Sequence, residues 1–239
     1  MKKYIFLLTF ITLMFHLVYQ SFADRRSYVW TYEYITEAGR AELEHYFTLS
    51  VPDTENLKSN ITEHQVALEV FVTENFDLSI YQIFAQGSNE GLSYEGFKFR
   101  SRFKIGQKGL YIVDPLIYLE YKGKPSFLKH VIESKLILAK YLRDFNISFN
   151  PIFEFEFERN GEWGFNFEPG YTIGVSYKVI ELLRVGVEAK GNPNGHYISP
   201  VISFGREDIW FNLGSAFGIG QIKEGKPNLQ IRTLIGIEL

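Results

Sequence analysis

A row of cations at alternate positions is the most informative polar feature of the chain. It occurs in "FKFRSRFKIG", where Lys98, Arg100, Arg102 and Lys104 alternate with phenylalanine or serine. Successive side chains of a β-strand point to opposite faces, so these cations would share one face. Binding of single-stranded nucleic acid needs cations and stacking rings on the same surface, and this pattern separates them.

Two interpretations of this cationic row remain open. The cations can form ion pairs with Asp77, Asp114 or Glu120 on neighbouring strands and so stabilise a protein wall. Alternatively, the same row can select charged solutes in an aqueous channel.

Carboxylates alternate with phenylalanines in "IFEFEFER", which places Glu154, Glu156 and Glu158 on one strand face. Same-face neighbours on a strand are about 7 Å apart, a spacing found in inverting glycosidases. Those enzymes hold their two acids on opposite sides of a sugar, which one row cannot do. We interpret the row as a hydrated acidic wall, continued by Glu168 in the next strand.

No catalytic or metal-binding residue is predicted. Ser-His catalysis needs a base within hydrogen-bond reach of the nucleophile, and His45, His64, His130 and His196 lie in no recognisable motif. A catalytic triad is a spatial arrangement, so a hydrolase of lipid or peptide substrates stays an alternative. The chain has no cysteine and no His-x-x-x-His, and we therefore expect neither a metal nor a cofactor.

The N-terminus predicts export. Residues 1–23 comprise two lysines, an apolar run and a Ser-Phe-Ala ending, the layout of a cleaved signal peptide. The formal net charge of −3 argues against a general nucleic-acid binder.

Stretches of alternating polarity recur from residue 41 to the end of the chain, and they predict an all-β protein. Most are longer than soluble strands and about as long as a tilted membrane-crossing strand. Long and short links mostly alternate, as in barrels with short periplasmic turns and longer outer loops. We predict an antiparallel up-and-down transmembrane β-barrel of about twelve strands over residues 41–239. The predicted strands are 41–51, 63–74, 76–87, 92–105, 110–122, 130–141, 145–158, 162–177, 181–190, 196–205, 209–219 and 228–239.

The two faces of the predicted strands suit a bilayer and a wet lumen. We place the phenylalanines of "FEFEFE" in lipid and its glutamates in the lumen. Tyr111 and Tyr121 would lie near the two ends of one strand, and Trp163 and Tyr177 near the ends of another. Ten residues tilted by roughly 40° rise about 25 Å, the height of the apolar band between aromatic girdles.

Residues 24–40 form a separate N-terminal segment in this interpretation. It carries an aromatic stripe of Tyr28, Trp30, Tyr32 and Tyr34. The sequence allows it to lie in the periplasm, fold into the lumen as a plug, or add an edge strand.

The chain from residue 24 onward resembles the bacterial outer-membrane β-barrel superfamily. The ending "LQIRTLIGIEL" is similar to the C-terminal signal that the barrel-assembly machinery reads, with Leu239 where a phenylalanine is usual. The opening "SYVWTYEYITEAGRAELEHYFTL" resembles the start of the porin-like family linked to the phenol-degradation meta-pathway. The resemblance implies a monomer in the bacterial outer membrane, in contact with its lipid and assembled through residues 228–239.

The predicted function is a channel for passive diffusion of small polar or charged solutes through a charge-lined lumen. Its predicted lining is Lys98, Arg100, Arg102, Lys104, Asp114, Glu120, Glu154, Glu156, Glu158 and Glu168. An outer-membrane hydrolase and a plugged structural barrel are the alternatives.

Overall fold

The protein is a barrel of twelve strands. A computed structural model describes residues 26–35, 40–56, 59–206 and 208–239, so the predicted signal peptide lies outside the described residues. The strands are β1 (Ala41–Val51), β2 (Ile61–Thr73), β3 (Phe76–Gly87), β4 (Ser93–Lys104), β5 (Asp114–Gly123), β6 (Lys129–Leu142), β7 (Phe145–Asn160), β8 (Glu162–Ile180), β9 (Leu183–Asn192), β10 (Gly195–Gly205), β11 (Ile209–Ile219) and β12 (Leu229–Glu238).

Each strand pairs antiparallel with its sequence neighbours, and β12 pairs with β1 to close the barrel. In the closing pair, Leu43 lies opposite Ile237 and Leu49 lies opposite Ile231. The prediction of a twelve-stranded up-and-down barrel is therefore confirmed. Among the described residues, no helix is long and apolar enough to span a membrane.

The period-two pattern sorts the side chains between the two faces of the wall. On β7, the side chains of Phe145 and Phe149 are 47% and 41% exposed, whereas Asn146 and Asn150 are fully buried. The buried face of a closed barrel is its interior, so the phenylalanines point outward and the amides point inward.

Both barrel termini lie at one end, since the backbone N–H of Leu239 donates to the carbonyl of Ala41 at 2.9 Å. We call this the terminal end and the other the open end. The links at the terminal end are 74–75, 105–113, 143–144, 181–182 and 206–208, of which only 105–113 is long. The links at the open end include the longer 52–60, 88–92, 124–128 and 220–228.

The predicted start of the fifth strand is wrong by four residues. The strand begins at Asp114, because the Asp114 carboxylate accepts the backbone N–H of Gly109 at 2.6 Å and closes residues 109–114 into a turn. Tyr111 therefore lies in the link before β5. The prediction that it shares a strand with Tyr121 is wrong.

The described part of the N-terminal segment, residues 26–35, lies inside the barrel. Tyr28, Val29 and Trp30 pack with rings of the inner wall such as Tyr81 and Trp210. Tyr32 and Tyr34 pack against a second buried cluster on β5 and β6, with Tyr118 and Ile137 among its members. The barrel interior is thus filled in part by the segment that precedes β1.

Because apolar side chains form the outer face, a charge placed there should lower the free energy of unfolding more in the middle of a strand than near its end. Phe149 lies in the middle of the outward apolar face of β7, so Phe149→Arg should lower the free energy of unfolding by about 2–4 kcal/mol. Phe157→Arg, near the open end of the same strand, is the matched control and should cost about 0–1 kcal/mol. Urea unfolding in lipid vesicles measures both. Equal costs would contradict this assignment of the apolar band.

Candidate functional site in the barrel lumen

Two buried carboxylates of the wall hold the N-terminal segment: Glu44 on β1 pairs with Arg26 at 3.4 Å, and Glu188 on β9 accepts backbone N–H groups. Glu188, buried on β9, accepts three successive backbone N–H groups, from Val29 at 2.8 Å, Trp30 at 3.0 Å and Thr31 at 2.7 Å. Hydrogen bonds to a charged acceptor are stronger than neutral ones, so Glu188 is the main polar anchor of residues 29–31. Sequence reasoning missed this residue, because only the folded segment brings its N–H groups together.

Neutral side chains on other strands of the wall also form hydrogen bonds with the segment. Asn150 on β7 accepts the backbone N–H of Tyr32 at 2.6 Å, and Ser148 donates to the Tyr32 carbonyl at 2.5 Å. Asn212 on β11 donates to the carbonyl of Tyr28 at 3.0 Å. The segment therefore crosses the lumen with contacts on several walls.

Two inward glycines make room for this crossing. A Cβ at Gly174 would lie 2.5 Å from the ring of Tyr28, and a Cβ at Gly214 would lie 2.5 Å from a methyl group of Val29. Either contact is too close for real atoms, so glycine is required at both positions. The barrel interior is thus crowded at these two places.

The cations in the middle of the predicted row are bound within the wall. Arg100 and Arg102 are buried, and both form ion pairs with Glu69 on β2. Arg102 also pairs with Asp77 on β3 at 2.9 Å. Two guanidinium groups and two carboxylates thus neutralise one another, which supports the wall-stabilising interpretation for these two arginines. Glu69 was not predicted, since it lies two strands away from its partners.

The two ends of the cationic row differ from its centre. Lys98 pairs with Glu120 at 3.1 Å, and Lys104 lies 5.3 Å from the ring centroid of Tyr34. Asp114 was predicted as a possible partner of the row, but its described contact is the backbone N–H of Gly109.

The predicted acidic row of Glu154, Glu156 and Glu158 also falls into two parts with different contacts. Glu156 and Glu158 approach Lys129 at 2.7 and 3.6 Å, near the open end. Glu154 instead belongs to a belt that runs across strands, because it lies opposite Glu133 on one side and Glu168 on the other. We define the acidic belt as Glu120, Glu133, Glu154 and Glu168, which lie in register on β5, β6, β7 and β8.

A cavity of about 380 Å³ lies between the N-terminal segment and the open end. We call it the vestibule. Trp30 and Tyr32 of the segment line it, as do Asn194 and Lys226 from links at the open end. The acidic belt lines one wall together with Lys98 and Lys135, which pair with Glu120 and Glu133. Lys190 and Arg232 line another wall. Neither of these two cations was predicted.

Aromatic residues on the outer surface form small clusters with histidines. Tyr121 hydrogen-bonds His130 at 2.7 Å, and the ring of Trp163 lies 5.6 Å from the His130 ring. Tyr177 packs on Phe145 with ring centroids 4.8 Å apart, near the terminal end. The three residues Tyr121, Trp163 and Tyr177 thus lie on the outward face, and their membership of a girdle stays a prediction.

The four described histidines make their hydrogen bonds to rings or to a carbonyl. His45 contacts His64 at 3.2 Å, His196 contacts Tyr171 at 3.2 Å, and His130 contacts Tyr121 and a backbone carbonyl. Within the described chain, no histidine hydrogen-bonds a serine or threonine hydroxyl.

Removing the anchor should release the N-terminal segment. Because the chain has no cysteine, Val29→Cys introduces a single buried thiol in the segment. We expect Glu188→Ala to raise its labelling rate by a polar maleimide at least about tenfold, since a charge-assisted hydrogen bond contributes about 1.5–3 kcal/mol. Glu181→Ala, at an exposed turn beside β9, is the control. An unchanged labelling rate in Glu188→Ala would show that packing and the remaining polar contacts hold the segment without Glu188.

Breaking the buried ion pairs should destabilise the barrel. Glu69→Gln leaves Arg100 and Arg102 short of one buried carboxylate, and we expect a loss of about 3–5 kcal/mol in the free energy of unfolding. Glu95→Gln removes a pair with Lys124 whose side chains are about one-third exposed, and this control should cost about 0–1 kcal/mol. The measurement is urea unfolding of the purified barrel. Similar losses in the two variants would refute the structural role of the cluster.

Comparison with known proteins supports the fold. No protein-family model and no curated protein matches the chain. An outer membrane channel from Pseudomonas putida F1 is similar in structure, with a TM-score of 0.61 and 10% identity over 90% of this chain and 100% of that chain. The KdgM porin in complex with disordered oligogalacturonate has a TM-score of 0.58 and 9% identity, over 82% of this chain and 97% of that chain.

The NanC porin has a TM-score of 0.54 and 10% identity, over 83% of this chain and 100% of that chain. At these identities the likeness concerns the fold alone. The chain therefore has the fold of porin-like outer-membrane barrels, and the resemblance to the phenol-degradation meta-pathway family stays a prediction.

Proposed function

We propose that the protein is an outer-membrane channel for small polar or charged solutes, with residues 26–35 as its constriction. The observation that carries this proposal is the vestibule, a polar cavity of about 380 Å³ inside a closed barrel. A barrel whose interior served only as a packed core would have little reason to keep a charged cavity of this size.

The link lengths support an orientation in the membrane. Short turns of bacterial barrels lie in the periplasm and longer loops lie outside the cell. The terminal end is therefore assigned to the periplasm and the open end to the exterior. In this orientation the vestibule faces outward, and the N-terminal segment closes the lumen from the periplasmic side.

Export and assembly complete the proposal. The signal peptide at residues 1–23 would direct the chain across the inner membrane. The assembly machinery would then recognise residues 228–239, which form β12 and close the barrel on β1. We propose a monomer, since each barrel closes on itself and leaves no strand edge for a partner.

The histidine contacts favour a channel over a hydrolase. A Ser-His mechanism requires the base to accept the proton of a nucleophile within hydrogen-bond reach. The partners of the described histidines are aromatic side chains, another histidine and a carbonyl, none of which is an acyl-transfer nucleophile at neutral pH.

A plugged structural barrel is the second candidate, and the N-terminal segment is the observation that favours it. Its contacts with Glu188, Asn150 and Asn212 hold it across the lumen. The two candidates differ in how the segment is held. In a channel constriction, water must be able to replace the polar contacts of the segment, whereas in a permanent plug these contacts can stay in place.

Conductance in a planar bilayer tests the proposal. We expect deletion of residues 24–38 to raise the ionic current, because an unobstructed twelve-stranded barrel leaves a lumen of about 10 Å. Glu188→Ala in the full-length protein should raise the open probability in the same direction, and Glu181→Ala is the control. If the full-length protein passes no current and only the deletion variant conducts, the plugged barrel stands. If neither folded protein conducts, the channel proposal fails.

A further inference from the structure

Two cations of the vestibule converge on one indole ring. The ammonium of Lys190 lies 4.4 Å from the ring centroid of Trp30, and the guanidinium carbon of Arg232 lies 5.6 Å from it. Lys190 comes from β9 and Arg232 from β12, so they reach Trp30 from different parts of the wall. A ring face attracts cations, and this ring therefore holds both charges at the same place in the vestibule.

Neither cation has a carboxylate partner among the residues that the structure describes. Lys190 donates to the amide oxygen of Gln230, and the Nε of Arg232 donates to the hydroxyl of Thr48 at 2.9 Å. These neutral acceptors contrast with the carboxylates that neutralise Arg100 and Arg102. Glu188, two residues from Lys190 on the same face of β9, is the nearby carboxylate, and it is engaged by the backbone N–H groups of residues 29–31. Two neighbouring cations without an ion-pair partner repel one another, and an oxyanion would relieve that repulsion with charge-assisted hydrogen bonds.

The acidic belt faces the same cavity from another wall. Directly opposite side chains on neighbouring strands lie about 4.5–5.5 Å apart, so Glu133, Glu154 and Glu168 are close neighbours. Lys135 pairs with Glu133 at 2.9 Å, and the amide of Asn192 donates to Glu168 at 2.5 Å. Glu154 forms no ion pair within the described chain, and this wall attracts a cation.

We propose that the vestibule binds a small dipolar ion, whose oxyanion group contacts Lys190 and Arg232 and whose ammonium group faces Glu154. The proposal names the solute class of the channel and, for its role in transport, rests on the function proposed above. Both walls line one cavity of about 380 Å³, which suits a small solute and not a polymer. Walls of opposite charge in a low-dielectric cavity orient a dipolar solute and disfavour an apolar one.

Binding to the unaltered, full-length protein is the first test. Titration calorimetry in detergent would compare 4-aminobutyrate with butyrate and with butylammonium, which each lack one charge. We expect 4-aminobutyrate to bind at least about tenfold more tightly than either single ion, with a change in tryptophan fluorescence from Trp30. A second arm with phosphoethanolamine determines whether the cationic wall prefers a phosphate to a carboxylate.

Substitutions locate the two ends of the solute. Lys190→Gln and Arg232→Gln should each lower the affinity for 4-aminobutyrate at least about tenfold, and Glu154→Gln should do so from the other wall. Lys223→Gln and Glu162→Gln remove the same charges from exposed positions near the open end and should leave the affinity unchanged. Lys190→Arg keeps the charge and should retain binding.

The outcomes separate this inference from the channel proposal. Equal affinities for the dipolar ion and its singly charged analogues would overturn the inference, as would the absence of binding by all probes. If Lys190→Gln fails to fold, the comparison of the three probes on the unaltered protein still decides. If the deletion variant passes current but the full-length protein binds none of the probes, only the proposed solute class is overturned. If the full-length protein binds 4-aminobutyrate but neither protein passes current, only the channel proposal is overturned.

Discussion

Closure of the sheet is the constraint that governs the molecule. An open edge would leave a row of backbone N–H and C=O groups unpaired. The pairing of β1 with β12 provides the closure. Closure also gives the wall an inner and an outer face, and the period of two places many of the strands' charged residues on the inner one. These charges are crowded together, and like charges repel.

The interior resolves this concentration of charge in two ways. Around Arg100 and Arg102, carboxylates from β2 and β3 neutralise the cations in direct contact. In the vestibule, Lys190 and Arg232 lie on one wall and Glu154 on another, without ion pairs among the described residues. The first arrangement stabilises the wall, and the second leaves an electric field across the cavity. The N-terminal segment is held by ring packing, by the Arg26–Glu44 ion pair and by hydrogen bonds from several strands.

The period-two pattern predicted the strands and their two faces. It could not predict contacts between strands that come together only when the barrel closes. Alternation placed the phenylalanines of β7 on the outer face, and it correctly predicted a strand over residues 130–141, where β6 lies. It failed at residues 110–113, where apolar side chains imitate a strand but Asp114 forms a turn. The partners of Arg100 and of Trp30 could not be predicted, because Glu69 and Lys190 meet them only through register and barrel curvature. Predicting the acidic belt would likewise require the register of four neighbouring strands.

Trp30 connects the solute site and the constriction. Its backbone N–H donates to Glu188 at 3.0 Å, while its ring contacts Lys190 and Arg232. A solute that contacts these cations therefore binds differently when the segment is in place and when it has moved. By thermodynamic linkage, the solute must then change the stability of the closed segment by the same free energy. If the anionic group binds Lys190 and Arg232 more tightly while Trp30 is in place, the solute stabilises the closed segment. If the anionic group binds them more tightly after Trp30 has moved away, the solute favours opening. In the proposed channel, the position of Trp30 would thus couple solute binding to the width of the lumen.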